Sequence, residues 1–83
     1  MDRSEVKKTV YRLIEEITEL PQEEIKEDSV MMDDLEISSM EIMTLFADFE
    51  EEFNMTLDEK EMRKCITIGD VIDCIAEKCV KNS

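Results

Sequence analysis

Apolar side chains recur every three or four residues in three stretches of this chain, which is the spacing of one face of an α-helix. The first stripe contains Val6, Val10, Leu13, Ile14 and Ile17. The second contains Met40, Met43, Phe46 and Phe53, and the third contains Ile68, Val71, Ile72, Ile75 and Cys79. No stretch alternates apolar and polar residues as a strand does. The 83 residues therefore predict one all-α domain over residues 1–83.

Local signals predict the end of the first helix and both ends of the second. The residue before a proline is forced out of the helical region, so Leu20-Pro21 ends the first helix. Ser38 and Glu41 fit a capping box, in which the serine caps the helix and the glutamate reaches back. The second helix therefore begins there, and it ends near Asn54. We expect its methionines and phenylalanines at positions 40, 43, 46 and 53 to face the core, with Ile42, Leu45 and Phe49 flanking them.

The rest of the chain predicts one short helix, one further main helix and a long first loop. A small helix is expected over about residues 59–64, and Thr67 with Asp70 forms a box-like start for the last helix. Residues 21–38 have no clean period, and we expect one helical turn near 22–26. Connections this long usually pack through their own apolar residues, here Ile25, Val30, Met31, Leu35 and Ile37. The predicted fold is a small four-helix bundle of three main helices and one short helix.

The acidic residues are concentrated in the middle of the chain. The formal net charge is −13, and residues 21–62 carry 15 acidic and 2 basic side chains. That stretch also holds many apolar residues, so a folded acidic face is favoured over disorder. A face of one sign selects partners of the other sign, and it repels nucleic acid.

Composition excludes several other classes of site. Without histidine the chain has no His-based triad or metal site, and a single glycine rules out the phosphate-binding loops. No apolar run approaches the roughly 20 residues of a membrane span, and no signal segment is visible, so we expect a cytoplasmic protein without membrane contact. Cys65, Cys74 and Cys79 do not complete a four-ligand metal site, and we expect them to pack.

Ser39 is the most informative candidate for a functional residue. It follows the long loop and lies in the first turn of the second helix. Unpaired N–H groups and the helix dipole favour negative charge there, which suits a covalently attached phosphate. Many serines begin helices simply as caps, so this position alone does not decide the function.

The surrounding motif resembles that of the acyl carrier protein family. Leu35-Glu36-Ile37-Ser38-Ser39-Met40-Glu41 is similar to the family's Leu-Gly-x-Asp-Ser-Leu-Asp/Glu, and residues 67–73 are similar to its entry into the last helix. The resemblance covers about residues 4–80. It implies that Ser39 carries 4′-phosphopantetheine, which a phosphopantetheinyl transferase installs from coenzyme A. The chain departs from the motif at Glu36, where the family has Gly, and at Ser38, where it has Asp.

The resemblance also implies a carrier that is not an enzyme. Such a protein holds acyl groups as thioesters and shuttles them among acyltransferases, ketosynthases or acyl-activating ligases of fatty-acid, polyketide or related biosynthesis. These partners present basic patches, and the expected contacts are Glu41, Asp48, Glu51 and Glu52. We expect a monomer, with space for the acyl chain near Met43, Phe46 and Met62.

Two alternatives stay open at this point. The first is an unmodified acidic interaction module of the same fold that docks a basic partner. The second is a binder of divalent cations, with candidate carboxylates at Asp33-Asp34 and Asp58-Glu59-Glu61. The chain lacks the alternating ligands and central glycine of an EF-hand loop, which counts against the second.

Overall fold

The computed structural model describes residues 2–81, with side chains to residue 78, and confirms the predicted all-α fold. Its helices are α1 (Arg3–Thr18), α2 (Ser39–Phe53), α3 (Glu59–Lys64) and α4 (Ile68–Lys81). A 3₁₀ turn (Gln22–Glu24) lies at the start of the long loop, where a helical turn was predicted. Within the described residues there is no strand, only an isolated antiparallel bridge between Val30 and Thr67.

The capping predictions are confirmed, with one shift at the end of α1. Ser38 Oγ accepts the Glu41 N–H at 3.2 Å, and Glu41 Oε1 accepts the Ser38 N–H at 3.1 Å. Asn54 ends α2 in the left-handed conformation (φ 51°). α1 ends at Thr18, with left-handed Glu19 as its cap, slightly before the predicted Leu20-Pro21. α1 and α2 therefore begin where a side chain accepts a free backbone N–H and end at a left-handed residue.

The hydrophobic core lies where α1 packs against α2 and α4. The predicted stripe of α1 is buried except for Ile17, which is partly buried, and the described part of the α4 stripe is buried. On α2, Phe46 is buried as predicted and Phe53 is partly buried, but the other buried residues are Leu45 and Phe49, which were expected only to flank the core. Met40 and Met43 were expected in the core but are 79% and 72% exposed.

The orientation of α2 follows from which face removes more apolar surface from water. Phe49 is fully buried, and its ring meets that of Phe46 edge-on at 6.0 Å and that of Phe53 at 6.5 Å. Aromatic rings bury large areas and gain further from such edge contacts. The face centred on Phe49 is therefore favoured over the one centred on the two flexible methionines.

The long loop is packed down, as its apolar residues predicted. Ile25, Met31 and Ile37 are buried, and Leu35 is partly buried. The loop is also bonded to the entry of α4, since the Met31 N–H donates to Ile66 O at 3.1 Å and the Gly69 N–H donates to Glu27 O at 2.7 Å. A side chain at Gly69 would bring its Cβ within 3.0 Å of that Glu27 oxygen. The chain's single glycine thus permits this close approach.

An ion-pair network closes the loop over α1 and α4. Glu27 pairs with Arg3, and Glu27 Oε2 lies 3.0 Å from Lys7 Nζ. Arg3 Nε also donates to Asp73 Oδ1 at 2.7 Å. The hydrogen bond from Arg3, followed by that from Lys7, lowers the pKa of Glu27 to about 2. The ionised carboxylate is therefore the form that stabilises the fold.

We expect Glu27→Gln to lower the melting temperature near neutral pH and to lose this effect in acid. The folded pKa lies below the unfolded value of 4.5, so the stabilisation is present above that value and disappears as the pH falls towards 2. Thermal melts followed by circular dichroism between about pH 7 and pH 2 measure the difference between wild type and variant. Glu23→Gln, at an exposed position in the 3₁₀ turn, is the matched control. A difference that stays constant across this range would contradict the role of Glu27.

Candidate functional site

The loop preceding α2 fixes the position of Ser39. The N–H groups of Asp34 and Leu35 donate to Val30 O at 2.8 and 3.2 Å, and the Ile37 N–H donates to Met31 O at 3.0 Å. The backbone then passes through extended Ser38 (φ −73°, ψ 161°) into α2, of which Ser39 is the first residue. Two bonded turns therefore lead directly to the serine that the sequence singled out.

The two neighbouring serines have different roles in the structure. Ser38 Oγ is engaged as the cap of α2, where it accepts the Glu41 N–H. The Ser39 side chain is exposed, and its hydroxyl makes no hydrogen bond within residues 2–81. A free hydroxyl at a helix start is accessible to an incoming phosphate, whose charge the helix dipole favours. No basic side chain forms a hydrogen bond with it in the described part of the chain.

The four predicted recognition carboxylates do not form one group. Asp48, Glu51 and Glu52 line a shallow cleft of about 250 Å³ between α1 and α2. Glu52 is paired with Arg12 Nη2 at 2.6 Å. Glu41 lies outside this cleft, is half-buried, and accepts the Ser38 N–H as part of the capping box. Asp48 and Glu51 are thus the predicted contacts whose carboxylates have no ion pair or hydrogen bond within the described residues.

A surface groove of about 520 Å³ runs between α2 and α3. Met43, Phe46 and Met62, which were expected to surround an acyl chain, all line it. A second groove of about 360 Å³ shares Ile42, Met62 and Arg63 with the first. Because Met43 is exposed rather than in the core, its side chain forms an outer wall of the first groove. The sequence predicted these residues as neighbours but did not reveal that the space opens to the surface.

Two of the cysteines lie together although they are separated in sequence. Cys65 Sγ donates to Glu61 O at 3.2 Å, and Cys74 Sγ donates to Glu61 Oε2 at 3.6 Å. Burial raises the pKa of Cys65 to about 12, and burial and the Glu61 contact raise that of Cys74. Both thiols therefore stay protonated at neutral pH, which makes them poor nucleophiles and ligands. The side chain of Cys79, which was expected to pack in the core, lies outside the described residues.

The described part of the chain contains neither a metal-binding cluster nor a membrane-spanning helix. No group of three or more cysteine or carboxylate side chains there is arranged to hold a metal ion. None of its helices is long and apolar enough to cross a membrane.

Comparisons with known proteins agree with the geometry. The family model of the phosphopantetheine attachment site matches residues 8–75. The acyl carrier protein of Thermotoga maritima is 30% identical over 92% of this chain and 94% of its own length. The chain is a member of the acyl carrier protein family. The acyl carrier protein of Chloroherpeton thalassium is 33% identical over 94% of this chain and 98% of its own.

A solved structure of an acyl carrier protein has the same fold as this chain. The acyl carrier protein of Enterococcus faecalis superposes with a TM-score of 0.78, 25% identity and coverage of 93% of this chain and 98% of that one. Membership of the family indicates that this chain carries a covalently bound 4′-phosphopantetheine. An exposed, unbonded hydroxyl at the start of α2 fits the attachment of such a group. The residues around Ser39 are therefore compatible with the family's cofactor.

Proposed function

We propose that this protein carries acyl groups as thioesters on a 4′-phosphopantetheine arm attached to Ser39. It passes them among enzymes of fatty-acid, polyketide or related biosynthesis and catalyses no reaction itself. The observation that carries the proposal is the exposed, unbonded Ser39 hydroxyl beside Ser38, whose own hydroxyl is engaged as the helix cap. We also infer that the chain works as a single-domain monomer in the cytoplasm.

The chemistry at Ser39 is a transfer from coenzyme A. Ser39 Oγ attacks the arm-side phosphorus of the pyrophosphate in coenzyme A and forms a new phosphodiester, while the bridging P–O bond breaks and adenosine 3′,5′-bisphosphate leaves. The hydroxyl proton goes to a base of the phosphopantetheinyl transferase, since this chain provides no base beside the serine. The arm ends in a thiol that forms the thioester. Incubation with coenzyme A and a transferase, followed by intact-mass measurement, tests the proposal.

The partners proposed for the loaded carrier are basic at their docking surfaces. They are the transferase and the acyltransferases, ketosynthases or acyl-activating ligases that exchange the acyl group. Asp48 and Glu51 are exposed or half-exposed and unpaired in the described part of the chain, so they are the most available contacts. Glu41 and Glu52 contribute charge while held by the cap and by Arg12. Exposed charges of this kind govern orientation and association rate more than affinity.

The double substitution Asp48→Lys/Glu51→Lys reverses two charges on α2 and should slow the loading of Ser39 by the transferase. We expect kcat/KM to fall about tenfold at low ionic strength and the difference to shrink as salt screens the charges. Time-resolved intact-mass measurement gives the rates. The double variant Glu15→Lys/Glu23→Lys is the control, because it changes the net charge equally at exposed positions outside α2. Equal slowing in both variants would argue against a docking role for α2.

A further inference from the structure

Glu36 has a backbone conformation that glutamate rarely adopts. Its φ of 54° lies in the left-handed region, where the Cβ atom crowds the backbone and glycine is favoured. The conformation is imposed from both sides, because the Leu35 N–H donates to Val30 O and the Ile37 N–H donates to Met31 O. Ile37 is also anchored in the core. The side chain at position 36 is therefore kept at a cost in stability, and such costs are concentrated at functional positions.

The Glu36 carboxylate is free, unlike most of its acidic neighbours. Asp34 accepts the Val30 N–H at 2.7 Å, and Glu41 accepts the Ser38 N–H. Glu36 is exposed, and within residues 2–81 its carboxylate forms no hydrogen bond or ion pair. Ser38, directly before the attachment serine, has no charge. The nearest unpaired carboxylate preceding Ser39 in the chain is thus that of Glu36.

We propose that Glu36 is a specificity-determining residue for the loading of Ser39. Its carboxylate pairs with a basic side chain of the phosphopantetheinyl transferase and orients the Ser39 hydroxyl towards coenzyme A. Three residues span at most about 11 Å, so the basic group lies at the rim of the transferase active site. This inference rests on the proposed function, and it accounts for a charged side chain at a position whose backbone favours glycine.

The test separates the charge of Glu36 from its backbone conformation. Glu36→Gln removes the charge but keeps a side chain, whereas Glu36→Gly removes both the charge and the crowding. Asp33→Asn is the matched control, because Asp33 is an exposed, unpaired carboxylate on the same loop. Loading is measured as kcat/KM with coenzyme A and a purified transferase, and stability as melting temperature.

We expect both Glu36 variants to load about five- to tenfold more slowly than wild type at low ionic strength, and Asp33→Asn to change less than about twofold. Glu36→Gly should nevertheless melt at a higher temperature than wild type, while Glu36→Gln melts near it. Loss of loading together with gained stability cannot come from damage to the fold. The difference between Glu36→Gln and wild type should shrink as salt is added.

Several results would overturn the role of Glu36. They are a wild-type loading rate in Glu36→Gln, a loss confined to Glu36→Gly, or an equal loss in Asp33→Asn. In each case wild type still gains one arm, so only this inference fails. If neither wild type nor any variant gains mass, the proposed function itself fails and the inference fails with it.

Discussion

We expect Ser39→Ala to abolish the uptake of a phosphopantetheine arm, whereas the wild-type chain should gain the mass of one arm and no more. The reason is chemical, because the phosphodiester needs the Ser39 oxygen and the Ser38 hydroxyl is held in the cap by the Glu41 N–H. Incubation with coenzyme A and a transferase, read by intact mass, measures the result. Ser39 is exposed and makes no side-chain hydrogen bond in the described part of the chain, so the variant should fold like wild type.

Ser38→Ala is the control that distinguishes the two serines. It removes the cap of α2 and should cost about 1 kcal/mol of stability, but it leaves the Ser39 hydroxyl in place. We therefore expect it to gain one arm. A mass gain that survives Ser39→Ala and disappears in Ser38→Ala would move the attachment site. An unchanged wild-type mass with several transferases would favour the alternative, an unmodified acidic module that docks a basic partner.

The helix ends and the packing of the long loop could be predicted from the sequence because their causes are local. The hydroxyl of Ser38 and the carboxylate of Glu41 are three residues apart, so their reciprocal bonds can be read from the chain. The same holds for Thr67 and Asp70, where the Asp70 N–H donates to Thr67 Oγ1 and the Thr67 N–H donates to Asp70 Oδ2, both at 3.1 Å. Apolar residues in the loop predicted burial without predicting their partners.

The errors and omissions concern features that depend on distant residues. The side of α2 that faces the core depends on its packing against the distant helix α1, so local spacing placed Met40 and Met43 wrongly. The pairing of Arg12 with Glu52 joins positions 40 residues apart and has no local signal. The left-handed conformation of Glu36 comes from bonds to the backbone around Val30, although the departure from the family's glycine did mark the position. Burial and ion pairing thus decide which predicted site residues are free to act.

Phe49→Ala should remove a large part of the stability of the domain. Phe49 is fully buried and packs edge-on against Phe46. Removing a buried phenylalanine ring costs about 3–5 kcal/mol, through lost transfer free energy and the cavity left behind. At roughly 0.05–0.15 kcal/mol per residue, a domain of 83 residues has about 4–12 kcal/mol in total, so the variant should lose a large part of its stability. Urea denaturation followed by circular dichroism measures the loss.

Met43→Ala is the matched control on the same helix, and it distinguishes the observed face of α2 from the one its sequence spacing predicts. Met43 is 72% exposed, so its truncation should change stability by less than about 0.5 kcal/mol. If Met43→Ala were as costly as Phe49→Ala, α2 would have to present its methionine face to the core. Phe49→Leu keeps most of the buried volume and should fold, so its smaller loss remains measurable even where Phe49→Ala is unfolded. We expect the loss of stability at Phe49 to grow from Leu to Ala and the change at Met43 to be negligible. That result would agree with a surface position for Met43 in the groove beside Phe46 and Met62.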